Sequence, residues 1–168
     1  MLILVGIKPA EMNLPKQLAA HFRTFYTGGN YTGVNLKDSL EGVSWQQATT
    51  SIFNCNTIAV LIWHMNYYVR LVTKVLHGHA LEGSDKYAFD APPVQSAEDW
   101  EQLKNSVFAD AENIAQLIEQ LPPEKLDAVF HDERYGNFYR NLQGIVEHNN
   151  YHLGQISLLK KIMSQVTQ

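Results

Sequence analysis

One stretch limits the possible folds more than any other. Thr57 to His77 reads TIAVLIWHMNYYVRLVTKVLH, and its apolar and aromatic side chains fall on nearly every side of a helical wheel. A helix of that kind must be covered from several directions, so it sits centrally among other helices. Asn54 or Asn56 is the expected cap at its start, and Gly78 stands where a C′ glycine belongs. It contains a histidine, His64, where the pattern asks for an apolar residue.

Three further stretches carry helical periodicity that could cover it. Leu14, Leu18, Phe22 and Phe25 share one face of a helix from about Met12 to Tyr26, ended by Gly28-Gly29-Asn30. A third long helix starts at Ser96, with Asp99 completing a capping box, and places Trp100, Leu103, Val107, Ala111, Ile114, Leu117 and Leu121 on a stripe before Pro122-Pro123. The fourth spans about Phe138 to Met163, with Phe138, Leu142, Ile145, His152, Ile156, Leu159 and Met163 inward; Lys160 and Lys161 suit its C-terminal end. A short helix, Leu36 to Gln47 and broken near Gly42, lies between the first two long ones, with Ser44 and Gln47 as a capping box. No run alternates as a strand would. The expected fold is an all-α four-helix bundle, one domain over residues 1–168, with an N-terminal arm before residue 14. The loop over residues 78–95 exceeds the usual bundle connection, which predicts a crossover or a lid.

Composition excludes several functions. Lys plus Arg is 13 against 17 Asp plus Glu, a net charge of −4, which does not suit a nucleic-acid protein. The apolar runs Met1 to Ile7 and Ile58 to Trp63 are too short to span a bilayer, and Met1 to Ile7 lacks the basic flank of a secretory signal. Met1 to Ile7 is expected to dock on the body. The single cysteine, Cys55, permits no intrachain disulfide and is expected as a small buried thiol in a cytoplasmic protein. There is no nucleophile elbow and no glycine-rich phosphate loop.

Seven histidines leave imidazole as the available metal ligand. His148 and His152 are four apart on the fourth helix, so both rings project from one face a turn apart. Such a pair can converge on one ion without backbone strain. If the second and fourth helices are neighbours, His64 meets the pair in the core. Three imidazoles leave positions open for water or substrate, the pattern of catalytic sites. The competing expectation is a set of hydrogen-bonded core histidines binding nothing. His77 and His79 are expected at a helix end, His21 on a surface, and His131 in a solvated loop. Gln155, Asn149, Glu147 and Tyr68 are candidates, by spacing alone, to orient the rings.

Four segments resemble the DinB-like superfamily. TIAVLIWHMNYYVRLVTKVLHG is similar to its second-helix signature and LQGIVEHNNYHLGQISLLKK to its last; FDAPPVQSAEDW and SWQQA fit the intervening regions. The resemblance runs from about Leu14 onward. It implies an up-up-down-down bundle of DinB/YfiT-like type that holds one divalent metal on His64, His148 and His152. The implied metal is zinc or nickel, with iron or manganese as alternatives. It also implies a homodimer, and either hydrolysis or a thiol-dependent transfer on a small molecule such as a low-molecular-weight thiol. The alternative is a non-catalytic metal- or small-molecule-binding bundle. Neither nucleic acid nor membrane is an expected partner.

Overall fold

The computed structural model describes residues 13–166, so the expected arm over Met1 to Ile7 lies outside the described residues. Six α-helices are present: α1 (Leu14–Thr27), α2 (Leu36–Leu40), α3 (Trp45–Thr49), α4 (Ile58–Leu76), α5 (Ala97–Glu119) and α6 (Phe138–Val166). Short 3-10 turns occupy Asp85–Tyr87, Pro123–Asp127 and Glu133–Tyr135. Among the described residues there is no strand, only an isolated bridge between Val129 and Asn137.

The helix starts follow local chemistry. Asn13 accepts from the Lys16 N–H at 3.1 Å and Pro15 sits in the first turn of α1. Ser44 and Gln47 form a reciprocal capping box on α3. Ser96 takes the Asp99 N–H at 3.1 Å on α5. At α4 the cap is Thr57, which takes the Val60 N–H, rather than Asn54 or Asn56. Phe53 and Asn54 instead hold positive φ, 49° and 59°, so the chain is still turning there.

The expected short helix is two pieces, because Gly42 at φ 72° breaks it. Lys160 serves this region rather than its own helix. Since α6 continues to Val166, Lys160 is not in its last turn, and its ammonium donates to the carbonyls of Asp38 and Glu41 at 3.1 and 2.7 Å. It thereby satisfies acceptors at the C-terminal end of α2.

α4 packs on α5 and α6, and α1 on α5 and α6, so α1 and α4 stand at opposite corners, as do α5 and α6. The connections over residues 28–57 and 120–137 therefore cross diagonals, as in bundles with two long crossovers. One buried cluster fills the centre, including Phe22, Phe25, Ile62, Met65, Ile114, Ile118 and Ile156. Leu14 is exposed and does not join that cluster. Trp100 donates its indole N–H to the Val43 carbonyl at 2.9 Å, tying α5 to the α2–α3 connection. Among the described residues no helix is long and apolar enough to cross a membrane.

Candidate metal centre

The neighbouring placement of α4 and α6 brings His64, His148 and His152 together. They form a group whose nitrogen atoms lie within 4.8 Å of one another. His148 Nε2 stands 3.1 Å from His64 Nε2 and 3.1 Å from His152 Nε2.

Partners outside the group set two of the tautomers. His64 Nδ1 faces the Ala88 carbonyl at 3.2 Å, and a carbonyl only accepts, so that nitrogen carries the proton. His152 Nδ1 faces Gln155 Oε1 at 2.6 Å and is assigned the same way. Both rings therefore turn a bare Nε2 lone pair inward. Burial, and then the neighbouring His152 and His64, push the His148 ring down to about 4; the adjacent Asn149 side chain acts weakly the other way. Nδ1 of His148 nevertheless has no hydrogen-bond partner of acceptable geometry. Burial and His152 also hold His64 below the ordinary histidine range, against the opposing Ala88 carbonyl and Asp85.

A neutral His148 cannot satisfy this geometry. With its proton on Nε2 it donates to one neighbour and leaves the lone pair of the other without a donor. With its proton on Nδ1, three lone pairs face one another. A cation at the centre removes the conflict. Imidazole nitrogens about 2.0–2.1 Å from a tetrahedral ion stand about 3.3 Å apart, close to the two 3.1 Å spacings that His148 makes. The donor set therefore fits a divalent metal, and the cluster could hold such an ion.

The long loop is the lid-like element. A Cβ at Gly83 would come 2.5 Å from Leu71 Cδ1, so glycine permits the loop to lie directly on α4. Tyr67 donates its hydroxyl to the Ser84 carbonyl at 3.0 Å and accepts from the Ser84 N–H at 2.9 Å. Tyr68 donates to Asp85 at 2.8 Å; burial, then that carboxylate, raise its phenol to about 12. With the loop pinned there, Phe89 stacks on the His64 ring at 3.8 Å between centroids.

A model of the DinB superfamily matches residues 34–156. The chain belongs to the DinB superfamily. That match includes all three clustered histidines. No curated protein matches the chain. No solved structure matches it.

Within this DinB superfamily member the four remaining histidines lie apart. His21, His77, His79 and His131 are exposed. Of the expected orienting residues, Gln155 reaches His152. Asn149 instead donates to the Tyr26 hydroxyl at 3.1 Å, and Glu147 is exposed. Tyr68 acts through the loop and packs in T-shaped contact with both His64 and His148. The Ala88 carbonyl was not foreseeable, since any residue supplies one. Cys55 is exposed, contrary to the expected buried thiol, because it sits in the irregular segment before α4.

His148 also lines a cavity of about 350 Å³ with Tyr68, Val72 and Gly144. A second cavity, about 500 Å³, is lined by Phe53, Cys55, Leu61, Gln155 and Leu158 and contains none of the three histidines. Of these two, only the first is lined by one of the clustered histidines, while the second reaches the group through Gln155.

Proposed function

We propose that this protein is a metal-dependent enzyme in which His64, His148 and His152 hold one divalent ion, with zinc or nickel the first candidates. The observation that carries this reading is the convergence of three Nε2 atoms, two of them fixed as lone-pair donors by Ala88 and Gln155. When bound, such an ion makes coordinated water or thiol more acidic and polarises a bound carbonyl.

The chain's own residues supply the rest. Ala88 and Gln155 hold two imidazoles in register, so little rotational freedom is lost on loading. Phe89 covers the outer face of His64 and keeps water from that side. The open side is the cavity at His148, which admits a small substrate. A water nucleophile would make the enzyme a hydrolase, and an incoming thiol would make it an S-transferase. The exposed Cys55 does not line that cavity, so a reacting thiol would arrive with the substrate.

Metal analysis after mild purification, with calorimetric titration of zinc and nickel into the stripped protein, tests the site. One ion per chain is expected, and His148→Ala should abolish the titration. No uptake by the wild type would overturn the reading. A panel of thiol and ester substrates on the loaded protein tests catalysis. Turnover lost in His64→Ala supports an enzyme, and tight metal binding without turnover supports a binding module instead.

A further inference from the structure

The cavity beside His148 carries a charge that the metal reading does not use. Two arginines line it, Arg134 and Arg140, and no carboxylate does. Arg134 is already engaged, at 2.7 and 3.1 Å from the two Asp132 oxygens. Arg140 differs. Among the described residues its guanidinium makes no hydrogen bond, ion pair or ring contact; only its backbone N–H is used, by Asn137. A guanidinium is always charged and offers five donors in a fork that matches carboxylate or phosphate oxygens.

The helix surface between this cation and the cluster is bare. Arg140, Gly144 and His148 are spaced four apart on α6, so they follow one face over about 12 Å. Gly144 is half-buried, yet a Cβ there would meet nothing within 4 Å. A mid-helix glycine weakens a helix, and here no close packing requires its small size. What it leaves is an open floor from guanidinium to imidazole, with Tyr68 and Val72 of α4 as the facing wall.

We propose that this cavity is the substrate channel of the metal site, and that it selects a small anionic molecule whose carboxylate or phosphate is bound by Arg140. The proposal rests on the metal reading for the position of the reacting end, but the anion site itself is formed by side chains alone. Because the whole chain carries −4, attraction of an anion here is a local property of the channel and not of the net charge.

Calorimetric titrations at fixed ionic strength, on stripped and zinc-loaded protein, test it with three probes. Succinate represents a carboxylate, methyl phosphate a phosphate, and succinamide the uncharged form. One of the two anions should bind at one per chain, and succinamide should not. Arg140→Gln should weaken that anion about fivefold, the upper scale for a pair made by an exposed arginine, while zinc affinity stays at the wild-type value. Gly144→Leu, which fills the floor, should weaken it as well. Equal anion binding by wild type and Arg140→Gln, or binding of neither anion, overturns the proposal. Arg140-dependent anion binding in a protein that takes no zinc upholds the anion site and removes the metal reading. Zinc uptake without anion binding does the reverse.

Discussion

Gln155 fixes a proton as well as a ring orientation. By accepting from His152 Nδ1 at 2.6 Å it commits the lone pair of that ring to the cluster. Gln155→Leu keeps the side-chain bulk and removes the acceptor, so the tautomer is no longer set. Zinc affinity should fall about 10–100-fold, the usual effect of losing an outer partner of a metal-binding histidine. Calorimetry reads the loss, and an unchanged far-UV spectrum separates it from unfolding. His64 was legible in the sequence because an ionisable ring inside an apolar helix needs a partner. His148 and His152 were legible from their spacing. The Ala88 carbonyl was not, since a backbone acceptor leaves no mark in side-chain identity. The exposure of Cys55 was not legible either: the lack of charged neighbours in sequence argues against a nucleophile but does not fix burial, and the residue lies in the irregular segment before α4, beside Phe53 and Asn54 at positive φ.

Between elements, charge contacts hold α1 to α5. Arg23 reaches across to Glu112, with two bonds of 3.0 Å, and to Glu119 at 2.9 Å. Bonding to Arg23 keeps the Glu112 carboxyl below its ordinary range. A carboxylate with a depressed folded pKa binds its proton more readily in the unfolded chain. Its stabilisation is therefore present above the ordinary glutamate range and is lost as pH falls through the depressed value. Because both side chains are partly exposed, the clamp is worth no more than about 1 kcal/mol. Arg23→Met should lower the urea midpoint at pH 7 and flatten its fall between neutral pH and pH 3; an undiminished fall would assign acid sensitivity to other carboxylates. The helices themselves were legible because their stripes repeat at the helical period, and the breaks at Gly42 and Pro122-Pro123 are where the chemistry requires them. The reach of Lys160 to α2 was not, because it depends on which helices are neighbours.

At the scale of the molecule, the proposed ion on the three histidines would make metal loading a folding term. His64 comes from α4 and the other two from α6, separated by more than 80 positions in the chain. Their convergence requires the bundle to be assembled, and the loop over residues 78–95 is coupled to it, since Ala88 and Phe89 both touch His64. An ion that binds only the folded arrangement stabilises it by mass action, about 2.7 kcal/mol at a free concentration one hundred times Kd. For a chain of this size that corresponds to a rise in Tm of about 5–10 °C. His64→Ala should lower the rise to near zero although α6 keeps both of its histidines, because two ligands on one helix do not bridge elements. The loop should respond together with the bundle: hydrogen exchange at residues 84–90 should slow on zinc addition in the wild type and not in His64→Ala. A Tm rise of equal size in both proteins would place the ion elsewhere. Slowing confined to α6 would mean that the loop contributes nothing to the bound state, and that Phe89 covers His64 without being held by it.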